Sequence, residues 1–226
     1  MRQVEMKFRT WGGKRRGAGR PQTKERKSEA HRRRKELTWN KPVHVSLRVA
    51  PGIRRLRRMD MYSALRASLA IMLIRTDFRV VHVSIQSNHI HLIIEAASAK
   101  ALSRGMQGFQ ISAAHKINAL LGRTGTVFPD RYHPKIITSR RGTRNALAYV
   151  LNNWRRHREH VAMDVQDWKL DKFSSAVHFD GWAEASRWSV PEDYEPLPVC
   201  RAESWLLRQG WKTYGPISIY EMPGRL

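Results

Sequence analysis

The sequence predicts an α+β fold, a ferredoxin-like four-stranded antiparallel sheet with helices on one face. Three observations favour this class. Short segments alternate apolar and polar residues at period two, which is typical of half-buried strands. Longer segments carry apolar residues three and four positions apart, as amphipathic helices do. The segments follow the order strand, helix, strand, strand, helix, strand, helix, and the first six match the ferredoxin-like arrangement.

The first half of the chain supplies three strands and one helix. Residues 43–49 alternate and predict the first strand. Residues 53–75 contain few helix breakers and predict the first helix. Alternation returns in residues 78–85, where Val81, Val83 and Ile85 are expected to point inward, and residues 89–95 follow after a short turn. We expect these two strands to form a hairpin.

The second half begins with an amphipathic helix over residues 99–121 that ends at Gly122. Residues 132–138 predict the fourth strand and residues 142–160 the last helix, while the sheet face opposite the helices is expected to stay open. After residue 160 the chain becomes rich in acidic residues, prolines and tryptophans. We expect these tryptophans to pack the segment onto the core: Trp168, Trp182, Trp188, Trp205 and Trp211.

The composition favours a polyanionic partner. Lysine and arginine total 42 against 19 acidic residues, which gives a net charge of +23. So strong a positive field is typical of proteins that bind nucleic acid. Residues 160–226 hold seven basic and ten acidic side chains, a net charge of −3. We therefore expect the polyanion site to lie before residue 160.

Cysteine usage and apolar segments bear on the compartment. Cys200 is the only cysteine, so one chain cannot form an internal disulfide or a cysteine-built zinc site. The sequence has no segment approaching the roughly 18 apolar residues of a membrane span. These features predict a soluble cytoplasmic protein with no membrane partner.

Two histidines on the third strand are candidate metal ligands. Residues two apart on a strand share a face, so His89 and His91 project together while Ile90, Leu92 and Ile94 enter the core. Two ligands hold a metal poorly, and a third ligand is therefore expected. Neutral imidazoles with an amide or carboxylate oxygen suit Mg²⁺ or Mn²⁺ acting on phosphate, although histidine usually prefers zinc.

The last helix offers a tyrosine and an amide on one side. Its apolar stripe consists of Leu147, Val150, Leu151 and Trp154. Tyr149 and Asn153 are four residues apart and point away from that stripe. Taken alone, this helix could equally present a polar back to solvent.

Both strings resemble the motifs of one enzyme family. The run Asn88-His89-Ile90-His91-Leu92 resembles the HUH motif of transposases, and Tyr149-Val150-Leu151-Asn152-Asn153 is similar to the tyrosine motif of the REP-associated tyrosine transposases, a single-tyrosine HUH family. The resemblance covers about residues 40–160. Gln86-Ser87 stands where many members have Met-Pro, and Trp154 stands where many have proline.

The resemblance implies a DNA transposase that cleaves and rejoins single-stranded or hairpin DNA. In such a protein Tyr149 would be the nucleophile and form a 5′-phosphotyrosine, while His89, His91 and Asn153 would bind Mg²⁺ or Mn²⁺. A monomer or homodimer at the bacterial nucleoid is expected. Plausible phosphate contacts are Arg48, Arg131, Lys135, Arg140, Arg141, Arg144, Arg155 and Arg156.

The composition and the motifs together divide the chain into three parts. We expect residues 1–40 to form a basic, flexible arm, residues 41–160 the HUH catalytic domain, and residues 161–226 a Trp/Pro-rich accessory segment.

Tyr132 is a rival nucleophile, and His44, His82 and His133 are expected to be ordinary polar-face or loop histidines.

Three other functions stay open. A nonenzymatic nucleic-acid-binding protein would have the same charge and sheet. A replication initiator or relaxase would share the paired histidines, but relaxases commonly carry their tyrosine near the N-terminus and a third histidine. A domesticated nuclease that processes repeated palindromes would have the same site residues.

Overall fold

The computed structural model describes residues 36–53, 55–157, 170–184 and 192–224. Most of the predicted arm, together with Trp168 and Trp188, lies outside these residues. Among the helices described, none has both the length and the apolarity to cross a membrane. The main elements are β1 Val43–Arg48, α1 Met59–Met72, β2 Phe78–Ile85, β3 His89–Ala96, α2 Ala99–Leu120, β4 His133–Ile136 and α3 Arg140–Arg156.

The four strands form one antiparallel sheet in the order β2-β3-β1-β4. This is the ferredoxin-like order, and the predicted fold class and the β2-β3 hairpin are confirmed. β1 and β3 lie in the centre, and their register places Ser46 opposite His91 and Arg48 opposite His89. On its other side, β3 places His91 opposite Ser84 of β2.

The main core fills the space between the sheet and the helices α1 and α2. Ile90, Leu92 and Ile94 point into this core, as their alternation predicts. The helix α1 begins at Met59 rather than near residue 53. The residue before the helix, Arg58, has an extended backbone, and Arg57 donates to the Ile85 carbonyl at 2.9 Å, so the helix cannot begin earlier.

The opposite face of the sheet is covered, so the expectation of an open face is wrong. The helix α3 packs there, and its residues Leu147 and Leu151 form a second core with Val81 and Ile93 of the sheet. The expectation that Val81 points into the main core is also wrong. A β-bulge between Val80 and His82 adds one residue to β2, which turns Val81 to the second face.

The segment after residue 170 packs against α3 and along the free edge of β2. The backbone N–H groups of Ser175 and Cys200 donate to carbonyls of β2 at 2.9 and 2.8 Å. Trp211 is 2% exposed and packs in the second core, as predicted for the tryptophans, whereas Trp205 is 53% exposed. Three short elements shape this segment: the 3-10 helix Ala176–His178, α4 Trp205–Arg208 and the 3-10 helix Gly210–Tyr214.

Two glycines of α2 form a matched pair for testing the packing. A Cβ at Gly105 would collide with the ring of Phe78, which is fully buried, whereas a Cβ at Gly108 would find Met72 Cε at 3.6 Å. Gly105→Ala should therefore lower the free energy of unfolding by about 1–3 kcal/mol. Gly108→Ala should leave it unchanged or raise it by up to about 1 kcal/mol through helix propensity. Urea unfolding measures both variants, and equal effects would contradict the packing.

Candidate active site

The paired histidines lie at the start of β3 with their rings in contact. The ring centroids of His89 and His91 are 4.7 Å apart, and the rings are nearly perpendicular. His91 is 4% exposed. The Nδ1 atom of His89 lies 2.8 Å from Oδ1 of Asn88, an oxygen that can only accept. His89 is therefore protonated at Nδ1, and its Nε2 atom carries a lone pair.

The Nδ1 atom of His91 faces two partners on the neighbouring strand β1. His44 Nε2 and Ser46 Oγ each lie 3.1 Å from it. His44 is itself buried, and its ring stacks on that of His91 with centroids 5.1 Å apart. The sequence alone indicates an ordinary polar-face histidine at this position, because only the strand register reveals its contact with His91.

The helix α3 places Tyr149 over these rings. The Tyr149 ring lies 5.1 Å from the His91 ring and 5.7 Å from the His44 ring, both edge-on. Asn153, one turn later, is completely buried. Tyr149 therefore contacts the histidines, although the pattern alone allowed a solvent-facing tyrosine. Tyr132, the rival nucleophile, is 5% exposed and packs in the main core.

Three buried polar atoms on these residues lack a hydrogen-bond partner within the described part of the chain. They are His91 Nε2 and both amide atoms of Asn153. Buried polar groups are usually hydrogen-bonded, so unpartnered ones point to a missing ligand. Two imidazole nitrogens and one amide oxygen suit a divalent cation in chemical type. The described residues contain no cluster of three or more histidines, cysteines or carboxylates that could hold a metal. The third donor would therefore have to be the amide.

Burial keeps the site's imidazoles neutral. Desolvation lowers the pKa of His44 and of His89 to about 4 each, and nearby Lys135 and His157 contribute to these two shifts respectively. The pKa of His91 is lowered well below its ordinary value, chiefly by burial and then by His89. Neutral rings offer lone pairs at neutral pH, as metal binding requires.

A further histidine borders the site and was missed from the sequence. His157, at the C-terminal end of α3, lies with its ring centroid 5.4 Å from that of His89. Its spacing of four residues from Asn153 and eight from Tyr149 places all three along one side of the helix. That spacing is the pattern by which it could have been found.

The predicted phosphate-binding cations differ in how they are placed. The Arg156 guanidinium lies 5.8 Å from the Tyr149 ring and donates to the Gly224 carbonyl at 2.9 Å. Arg48 pairs across the sheet with His89, and Lys135 with His44. Arg144 is already bound by the Glu221 carboxylate at 2.8 Å.

The other four predicted cations have different surroundings. Arg155 and Arg140 stack over aromatic rings, of Tyr220 at 5.3 Å and of Trp205 at 5.0 Å. Arg131 and Arg141 are exposed. Of the eight predicted cations, the three that pair across the sheet with the site's histidines or lie over Tyr149 are thus Arg48, Lys135 and Arg156.

The sequence profile of the IS200-like transposases matches residues 38–153, which is half of the chain and includes both histidines, Tyr149 and Asn153. This match identifies the class of protein as a transposase. This chain is a member of the IS200-like transposase family.

Two solved structures are similar to the chain. One is a REP-associated tyrosine transposase bound to a REP hairpin, with 14% identity and a TM-score of 0.47, covering 57% of this chain and 74% of the other. The second, from Deinococcus radiodurans R1 and described as a transposase, has 8% identity and a TM-score of 0.37, covering 60% and 96%. Among curated proteins, none matches significantly. Family membership therefore follows from the profile match.

The contacts of His91 predict its tautomer in the metal-free protein. With His44 and Ser46 as acceptors, the His91 proton should reside on Nδ1 and leave Nε2 as a lone pair. Combining His44→Phe with Ser46→Ala removes both acceptors, so the Nε2-protonated form should become the major one. Imidazole ¹⁵N NMR shifts distinguish the two forms.

The control for this experiment is His44→Gln, whose amide oxygen can still accept a hydrogen bond. It should keep the parent tautomer. A parent protein that carries the His91 proton on Nε2 would contradict the assignment.

Proposed function

We propose that this transposase is a metal-dependent, single-tyrosine enzyme that cleaves and rejoins single-stranded or hairpin DNA. In this proposal His89, His91 and Asn153 hold Mg²⁺ or Mn²⁺, and Tyr149 is the nucleophile. The observation that supports it most is that buried polar atoms of His91 and Asn153 have no hydrogen-bond partner among the described residues. Tyr149 contacts His91 and lies one turn before Asn153 on α3. A structural role alone leaves these buried atoms unexplained.

The three proposed ligands fit a hard divalent cation when each imidazole offers Nε2. The ion, when bound, supplies positive charge that polarises a non-bridging phosphate oxygen. Asn88 supports this arrangement because it binds the other nitrogen of His89. His44 and Ser46 do the same for His91. Since each ligand ring is held from its far side, little reorganisation is needed when the ion binds.

The covalent step exchanges one phosphodiester for another. The Tyr149 oxygen attacks the phosphorus and loses its proton to solvent or to a nearby base. The bond from phosphorus to the 3′-oxygen breaks, and that oxygen takes up a proton. A 5′-phosphotyrosine and a free 3′-hydroxyl result, and a 3′-hydroxyl can later attack the phosphotyrosine to rejoin the strand. No nucleotide cofactor is required, because the number of phosphodiester bonds is unchanged.

Positive charge beside Tyr149 favours a phosphate there. Arg156 lies over the tyrosine ring, while Arg48 and Lys135 lie across the sheet from His89 and His44. We assign phosphate binding near the reacting bond to these three. The remaining arginines of the predicted set are proposed to contact more distant phosphates, except Arg144, whose pairing with Glu221 gives it a structural role.

An unpaired strand suits this site better than a duplex. Tyr149 is only partly exposed and lies between α3 and the sheet, next to the buried His44 and His91. A backbone that is free to bend can enter such a recess more readily than one held in a duplex. This is the basis for proposing single-stranded or hairpin DNA as the substrate.

The nucleophile is tested by trapping its adduct. Incubation with a labelled single-stranded oligonucleotide and Mn²⁺ should give a complex that survives denaturation, and Tyr149→Phe should abolish it. Electrophoresis of the denatured mixture measures the adduct. The matched control is Tyr132→Phe, which removes a hydroxyl in the main core and should retain the adduct.

Two results would overturn this assignment. An adduct that persists in Tyr149→Phe would mean that another residue attacks. Tight DNA binding without any adduct in the parent protein, over a range of substrates with unpaired or hairpin ends, would favour the nonenzymatic nucleic-acid-binding alternative.

The metal site is tested by affinity. Asn153→Leu keeps the number and branching of the side-chain heavy atoms but removes the amide oxygen, so it should weaken Mn²⁺ binding by about tenfold or more. Calorimetry or Mn²⁺ paramagnetic resonance measures the dissociation constant without DNA. Asn145→Leu, on the exposed surface of the same helix, is the control and should bind as the parent does. Equal affinities of the two variants would remove Asn153 from the ligand set.

A further inference from the structure

A cavity of about 650 Å³ lies beside β2. It shares no residue with the proposed catalytic site. Its walls come from β2 and from two stretches of the C-terminal segment, residues 178–180 and 199–212. This size falls in the range of pockets that bind small ligands. Its lining includes three cations, Arg201, Arg208 and Lys212, and one carboxylate, Asp180.

The charged residues of the C-terminal segment differ in whether they form ion pairs with the rest of the chain. Its net charge of −3 would argue against a polyanion site there, but most of the carboxylates that form ion pairs do so with cations from earlier in the chain. Four such pairs join the two parts: Asp171 with Arg57, Glu195 with Arg66, Glu203 with Arg79 and Glu221 with Arg144. Four of the ten carboxylates of the segment are therefore paired with cations of the core.

The cations of this cavity are left without such partners. Within the described part of the chain, Arg201, Arg208 and Lys212 form no ion pair, and all three are exposed. The Lys212 ammonium lies 5.9 Å from the Trp211 ring. Three unpaired cations against one carboxylate leave the cavity positively charged, and the natural ligand of such a site is an anion.

The lining of the cavity also includes apolar side chains and a histidine. Val81, Phe179 and Leu207 contribute apolar, buried side chains, and His82 contributes an imidazole that is 8% exposed. Because these apolar side chains are buried, most of the surface that the cavity presents is polar, with a smaller apolar part. Such a lining suits a ligand that has an anionic part and a weakly polar part. A nucleotide of a DNA strand has both, since its base can enter the cavity while its phosphates meet the cations.

We propose that this cavity binds a nucleotide and its flanking phosphates of the DNA substrate, away from the cleavage site. The inference rests on the proposed function, because it takes DNA as the ligand. The cavity borders His82, and Ser84, two residues along the same strand, pairs with His91. Two residues of a strand span about 7 Å. One DNA strand of a few nucleotides can therefore contact both sites.

The experiment measures DNA affinity against salt concentration. The triple variant Arg201→Gln, Arg208→Gln, Lys212→Gln should bind a fluorescent single-stranded oligonucleotide more weakly than the parent. The slope of log affinity against log salt should fall by about 2, because each lost phosphate contact removes roughly 0.7 for single strands. The matched control neutralises three cations of α2 on the other face of the sheet: Lys100→Gln, Arg104→Gln and Lys116→Gln.

A variant that is expected to strengthen DNA binding keeps the test independent of folding defects, because a folding defect would weaken binding. Among the described residues that line the cavity, Asp180 is the one carboxylate, so Asp180→Asn should tighten DNA binding. A salt slope in the triple variant equal to that of the α2 control would overturn the proposal, as would unchanged or weaker binding by Asp180→Asn.

The outcomes also separate this proposal from the catalytic one. If the parent forms no adduct but the salt slopes differ as expected, the proposed cleavage mechanism is wrong and the proposal that the cavity binds DNA is supported. An adduct with unchanged slopes gives the reverse conclusion.

Discussion

Burial of both faces of β3 is the constraint on which the site depends. Leu92 faces the main core, whereas Ile93 lies in the second core beneath α3. The face that carries Ile93 also carries His91, so a helix that covers one must cover the other. A buried polar group without a partner destabilises the fold by about 1–3 kcal/mol. The helix covers the imidazoles with the ring of Tyr149, and among the described residues His91 Nε2 and the Asn153 amide have no hydrogen-bond partner.

The remaining sides of α3 must then be covered by other parts of the chain. Leu147 and Leu151 pack in a cluster that includes Trp211 and Ile217 of the C-terminal segment, and Asn152 donates to the Ser218 carbonyl at 2.9 Å. The helix is therefore held between the sheet and this segment. Because its rotation is fixed on both sides, the segment helps to position Tyr149 although it contributes no proposed ligand.

Local pattern predicted most of the elements, and the paired histidines followed from alternation alone. It could not predict the bulge that turns Val81 to the second face, because a bulge changes the period by one residue without an obvious marker in the sequence. The burial of Asn153 and the contact of His44 with His91 depend on how α3 and β1 meet β3. Such contacts join residues far apart in sequence, and no local period encodes them.

The charge pattern also depends on contacts between residues that are far apart in sequence. Counting charges by segment assigns residues 160–226 a negative character, yet that count ignores pairing across the segment boundary. Glu95 of β3 is fully buried, binds Arg79 and accepts from the backbone N–H groups of Glu203 and Ser204. The segment is thus fastened to the sheet by charges of both signs. Once those pairs are removed from the count, the charge that the segment exposes around its cavity is positive. The field of the whole surface favours a polyanion.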